Sequence, residues 1–202
     1  MNYFIVSGSH RNNSQSTKVS KYFEKTIRKL DSSAQTDFLD LAGNPIPLWD
    51  EGLWSGDETW TKLWNPIKKR LEAADALVVV TPEWAGMSTP GIRNFLLLAS
   101  GGPISHKPGL IVSVSGSRNG AYPVSELRAT TTKNNQLNWI PEHIIVRDCE
   151  SMLNGEQANG EDDRYLRGRI DYSIKLLGEY AKALSNVRSS GVIDAKNYPF
   201  GM

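Results

Sequence analysis

Tyr3-Phe4-Ile5-Val6-Ser7-Gly8-Ser9-His10-Arg11-Asn12-Asn13-Ser14-Gln15-Ser16-Thr17 runs from an apolar stretch through a hydroxyl-rich turn. Val19, Tyr22, Phe23, Ile27 and Leu30 then recur on one face of a helix. A strand that turns directly into a helix exposes the unpaired N–H groups of the first helical turn beside the turn's own side chains. The hydroxyls of Ser9, Ser14, Ser16 and Thr17 can therefore converge with those N–H groups on one phosphate, and Arg11 can add a charged donor pair. A Ser/Asn-rich cap of an ordinary helix has the same local appearance.

Outward from this stretch the pattern repeats. Apolar runs at Tyr3–Val6, Thr36–Leu41, Ala76–Val80, Leu110–Val114 and His143–Val146 read as strands. Three of them are continuous rather than alternating, as in central strands of a parallel sheet covered on both faces. Helical periodicities fall at about residues 15–30, 59–73, 91–99, 122–138 and 161–186 between and after the strands. Strand–helix alternation predicts right-handed crossovers and a three-layer α/β sandwich, with any ligand beyond the carboxyl ends of the strands. The 202 residues, 39% of them hydrophobic, suit one domain over residues 1–202.

Composition excludes several function classes. A formal charge of +1 with scattered basic residues gives no footprint for nucleic acid. The locally basic first thirty residues could attract a phosphate-bearing ligand or form a solvated helix face. Cys149 is the only cysteine, so no intrachain disulfide and no multi-thiolate metal site is expected. No apolar run approaches membrane-spanning length and no leader pattern is present, so the cytoplasm is the expected location. Residues 44–60 interrupt the rhythm with Pro45, Pro47, Gly52 and Gly56, and carry Trp49, Trp54 and Trp60 on a surface excursion. These indoles can pack the excursion down, line a pocket or meet another subunit. The tail from Ser189 onward is Gly/Ser/Pro-punctuated and can fray or clasp a partner subunit.

Two further turns share the design of the first. Thr81-Pro82-Glu83-Trp84-Ala85-Gly86-Met87-Ser88-Thr89-Pro90-Gly91 links a strand to a helix and suits the approach of a flat ring to backbone groups. Ser115-Gly116-Ser117-Arg118-Asn119-Gly120-Ala121 is rich in small residues, which let the main chain approach a ligand. Three such turns at successive strand ends point to a ligand site. The first lacks both the GxxxxGK[ST] triphosphate cradle and the GxGxxG dinucleotide pattern. One phosphate at a helix start with a planar ring at the other turns fits flavin mononucleotide (FMN) better than ATP or NAD.

At these three turns the chain resembles the NAD(P)H-dependent FMN reductases of the flavodoxin-like superfamily, with their quinone-, azo- and chromate-reducing relatives. The GSxRxxSxN-like phosphate loop keeps Ser9, Arg11 and Ser14, with Ser16 where asparagine is common. The TPEYNGSxPGxLKN-like segment matches residues 81–94, with Trp84 for tyrosine, Ala85 for asparagine and Met87 for serine. The third loop, followed by Leu127-Arg128, matches more loosely. The resemblance covers about residues 1–150 and implies a five-stranded parallel sheet of order 2-1-3-4-5. It implies that Ser9, Arg11, Ser14, Ser16 and Thr17 surround the phosphate, and that Pro82, Glu83, Trp84, Ala85, Gly86 and Met87 form the flavin loop. Ser115, Gly116, Ser117, Asn119 and Gly120 complete the cofactor site, and Glu83 has the alternative of a salt bridge across subunits.

By the same resemblance the protein is an oxidoreductase in which NADPH or NADH gives hydride to bound FMN. A quinone, azo compound, free flavin or metal oxyanion then accepts the electrons. The flavin carries the reactivity, so no catalytic side chain and no metal is expected. The partners implied are a small-molecule acceptor and further copies of the chain, as a homodimer or homotetramer. Two alternatives stand beside this reading: a flavodoxin-like electron carrier, which the balanced charge disfavours, and a non-enzymatic sensor with weakened flavin binding, suggested by Ala85, Met87 and the Trp-rich excursion.

Overall fold

The strand-forming residues assemble around β1 (Asn2–Ser7), which lies at the centre of one half of a sheet. In the computed structural model, which describes residues 1–200, β1 is flanked by β2 (Gln35–Asp40) and β3 (Ala76–Pro82). Beyond β3 come β4 (Pro108–Val114) and β5 (Asn138–Val146). All pairings are parallel and the order is β2-β1-β3-β4-β5, as expected from the resemblance. β3 and β4 are buried along their whole length, which accounts for their unbroken apolar sequences.

Alternation along each strand divides the core between two faces. Tyr3, Ile5, Val78, Val80, Leu110 and Val112 meet α1 (Gln15–Leu30) and α7 (Gly160–Ser189) through Val19, Phe23, Ile27, Ile170, Ile174 and Leu177. Phe4, Val6, Leu77, Val79 and Ile111 meet the opposite layer. That layer contains α3 (Glu58–Leu63), α4 (Asn65–Ala73), α5 (Pro90–Leu98) and α6 (Ala121–Thr130). The four-residue α2 (Gly52–Ser55) belongs to the Trp-rich excursion.

Three elements differ from the sequence expectation. The helical pattern at 59–73 is two helices, because Pro66 begins a new helix at its second position and Trp64 joins the two. The pattern at 122–138 stops at Thr130, where Thr130 and Thr131 turn their hydroxyls back onto the Glu126 and Leu127 carbonyls. Trp139 Nε1 also donates to the Leu127 carbonyl, at 3.2 Å. The helix end is thus satisfied by side chains. β5 consequently begins at Asn138 rather than His143. Pro141 and a register shift near Gly109 hid its first half, as a proline in an edge strand does. Among the described residues no helix is long and apolar enough to cross a membrane.

Candidate functional site

The loops after β1, β3, β4 and β5 all leave the carboxyl edge of the sheet, and their residues enclose a cavity of about 260 Å³. One wall is the start of α1. Ser14 is its N-cap: its Oγ accepts from Thr17 N–H at 3.1 Å, and its carbonyl accepts from Lys18 N–H. Gln15 and Ser16, which hold the earlier N–H groups of that turn, both line the cavity. Ser9 Oγ accepts from the Arg11 N–H at 3.2 Å, so its own proton is available to a ligand. Helix dipole, free amides, serine hydroxyls and the Arg11 guanidinium together favour an anion.

One buried atom carries the same signal. The Gln15 Oε1 is buried without a hydrogen-bond partner. An amide held this way loses hydrogen bonds that a bound polar ligand restores. Rotated about its last torsion, it presents N–H donors to an anion.

Thr17 takes a different place from the other loop hydroxyls. It donates to Asp40 Oδ2 at 3.0 Å and lies 2.9 Å from Ser14 Oγ. With its proton committed to Asp40, Thr17 braces the Ser14 cap and is not on the cavity wall.

The second loop is a tight hairpin. Trp84 and Met87 exchange both backbone hydrogen bonds, each 3.0 Å, across Ala85 and Gly86, whose φ values are +50° and +76°. Two central residues with positive φ suit a turn in which Asn-Gly is favoured; here alanine takes the first place. Pro82, Glu83 and Trp84 line the cavity, whereas Ala85 and Met87 line a separate groove of about 900 Å³ with Trp84 shared between the two. Gly86 lies on neither wall. The groove is bounded by α5, the end of α6 and the excursion, from which Leu48 and Trp49 reach it. Asn94 fastens that excursion: it accepts from Trp49 N–H and donates to the Pro47 carbonyl, both at 2.8 Å.

The third loop contributes Gly116 to the cavity, while Ser115, Ser117, Asn119 and Gly120 are not on its wall. Ser115 N–H donates to the Val146 carbonyl and Ser115 Oγ accepts from Ser117 N–H, so this residue shapes the loop. Gly120 N–H donates to Glu83 Oε2 at 2.7 Å, joining the third loop to the second.

Sequence reasoning passed over Asn13, Gln15, Val114, Cys149 and Glu150 on the cavity wall. Cys149 and Glu150 follow β5, and the rule that ligands sit beyond carboxyl strand ends could have found them. Lys18 holds that segment in place, donating from Nζ to the Cys149 and Met152 carbonyls and to Asn154 Oδ1 at 2.7, 2.9 and 3.0 Å. Burial pushes the Cys149 thiol pKa up, which keeps it protonated and unreactive.

A family model for NADPH-dependent FMN reductase matches residues 1–149, which span all five strands and the three loops. The chain belongs to the NADPH-dependent FMN reductase family. It is 24% identical over 190 residues to an NADPH azoreductase of Bacillus sp. (strain OY1-2), covering 93% of this chain and 97% of that one. Among solved structures it is similar to an oxidoreductase from Corynebacterium diphtheriae, with a TM-score of 0.70 at 14% identity, covering 90% and 97% of the two chains. It is also similar to FerB, a flavoenzyme NAD(P)H:(acceptor) oxidoreductase from Paracoccus denitrificans, with a TM-score of 0.67 at 21% identity, covering 89% and 98%. As a member of this FMN reductase family the protein is a flavin oxidoreductase that uses FMN and NAD(P)H.

Proposed function

We propose that the cavity at the start of α1 holds the FMN phosphate and that the adjoining groove admits the nicotinamide donor and then an organic acceptor, a quinone, azo compound or free flavin. The observation that carries this reading is Trp84, which is wall to both the anion-favouring cavity and the open groove. A molecule with a phosphate at one end and a flat ring at the other can occupy both spaces past one indole.

When bound, FMN supplies the two-electron redox chemistry that links donor to acceptor. Ser9, Arg11, Ser14 and Ser16, with the first-turn amides of α1, would hold its phosphate. The Ser14 proton now shared with Thr17 can turn to the anion, because Ser14 caps α1 through its lone pair. Thr17 then acts as the brace that ties the cap to Asp40. Pro82, Glu83, Trp84, Ala85, Gly86 and Met87 would form the ring-side loop, with Ser115, Gly116, Ser117, Asn119 and Gly120 supporting it. The residues of the groove orient a flat molecule between apolar walls and exclude water from it.

We also assign the groove's rim to contact with a second copy of the chain. Met87 and Leu97 are exposed by 54% and 52% along it, Tyr122, exposed by 64%, stands beside Gly86 of the adjoining turn, and Leu48 and Trp54 extend the apolar surface over the excursion. Exposed apolar residues gathered in this way favour burial against another protein surface. A homodimer, or a homotetramer built from it, would cover them.

An anaerobic absorbance titration tests the function. The FMN-loaded protein is mixed with NADPH and, separately, with NADH, and then with an azo dye or a quinone. Bleaching of a flavin band near ~450 nm by either donor, and its return on adding acceptor, is the expected outcome. Bound flavin that neither donor bleaches would assign the protein as an electron carrier.

A further inference from the structure

His10 stands in the phosphate loop and reaches across to the second loop, beside the bond that Thr89 Oγ1 donates to the Gly8 carbonyl at 2.6 Å. Its Nε2 accepts a hydrogen bond from Gly91 N–H at 2.9 Å, 81 residues away. Gly91 is in the first turn of α5, where Pro90 has no N–H to donate and Thr89 Oγ1 serves the N–H of Ile92. His10 therefore caps a donor that the helix itself cannot satisfy. The approach depends on glycine: a Cβ at position 91 would collide with His10 Nε2. The same imidazole stands edge-on to the Trp84 indole, with ring centroids 5.6 Å apart and planes at 82°. Such an edge-to-face pair restrains both rings beyond simple area burial.

We propose that His10 is a positioning residue that fixes the Trp84 indole as the wall between the phosphate cavity and the groove, and so sets the subsite for the planar ring of the cofactor. The proposal rests on the placement of FMN argued above. The Gly91 bond fixes the imidazole, and the imidazole edge fixes the indole. His10 itself lines neither the cavity nor the groove, so its effect on a ligand passes through Trp84.

The test uses the whole chain carrying 5-fluorotryptophan, with the Trp84 resonance assigned by Trp84→Phe. ¹⁹F spectra and FMN titrations are recorded for the unaltered protein, His10→Ala and His10→Asn. The second variant keeps a hydrogen-bond acceptor near Gly91 but has no ring. In both variants the Trp84 resonance is expected to shift and broaden while the other tryptophans hold, and FMN affinity to fall about tenfold in His10→Ala. In a Trp84→Phe background the same His10→Ala change is expected to alter FMN affinity less than about twofold, because coupled residues are non-additive. An unchanged Trp84 resonance in both variants overturns the proposal, as does an affinity loss that persists in full without the indole. If the unaltered protein binds no FMN, the placement of the cofactor fails, while the resonance still decides whether His10 fixes Trp84.

Discussion

The Glu83 carboxylate accepts the Gly120 N–H at 2.7 Å, so the loop after β3 and the loop after β4 are held by a charge-assisted hydrogen bond across 37 residues of sequence. Gly120 is buried at the N-cap of α6, so its N–H has no water to replace the carboxylate. The bond gives Glu83 an intramolecular role within one chain. Glu83→Ala is expected to destabilise by about 1–3 kcal/mol, the cost of leaving a buried donor unpaired. Glu83→Gln, which keeps an acceptor oxygen, is expected to cost less than half of that in urea unfolding. Equal losses for the two variants would show that the charge, rather than the acceptor, matters.

Ala85 sits at φ +50°, in the left-handed region, at the first central position of the Trp84–Met87 hairpin. An L-residue with a Cβ is strained there, and asparagine tolerates the conformation better. Ala85→Asn is expected to raise stability by about 0.5–1 kcal/mol, or roughly 1–3 °C in Tm. Thermal unfolding of the two proteins in one buffer decides it, and an unchanged or lower Tm would refute strain at this turn.

Lys107, at 7% exposure, is buried at the end of the sheet away from the site, where its Nζ donates to the Leu71 and Glu72 carbonyls at 2.7 and 2.8 Å at the end of α4. Burial first, and the nearby Arg188 charge second, hold its pKa down to about 8, against 10.5 for an ordinary lysine. Between these two values the unfolded chain binds a proton that the folded chain does not, so raising the pH favours folding. Below about pH 8 the charged amine costs the fold its full penalty, which is relieved progressively toward pH 10.5. At roughly 1.4 kcal/mol for each pH unit, the penalty is about 3 kcal/mol. Relative to Lys107→Met, the unaltered protein is expected to gain about 2 kcal/mol between pH 7.5 and 9.5 in urea unfolding. A stability difference that does not vary with pH would remove Lys107 as the cause.

Leu97 projects from α5 onto the groove and is half exposed. A charge there would have to be desolvated if a second copy covers this face. Light scattering is expected to give the unaltered protein a mass of at least twice the 22.4 kDa chain, and Leu97→Glu the mass of a single chain. A variant that remains associated places the interface elsewhere.

The parallel sheet was legible from local pattern alone. Tyr3–Val6, Ala76–Val80 and Leu110–Val114 are apolar without alternation, and a strand covered on both faces requires that. Their alternation with helical periodicities placed the polar turns at one edge of the sheet, which brought Ser9, Glu83 and Gly116 together. The order of the strands came from the family resemblance. β5 was half-hidden because Pro141 and the register shift break the apolar run, and α6 ended early through side-chain bonds that no periodicity reports.

What the sequence by itself determined, then, is the succession of elements and the edge of the sheet where a ligand would sit, since both follow from residue spacing within one segment. Tertiary structure decided how the loop side chains are used. Thr17 turns to Asp40, Lys18 reaches the chain beyond β5, His10 meets Gly91 and Trp84, and Glu83 meets Gly120. Each of these contacts joins segments far apart in the chain. A polar side chain in a turn has several partners within reach, and only the packed sheet brings one of them to hydrogen-bond distance.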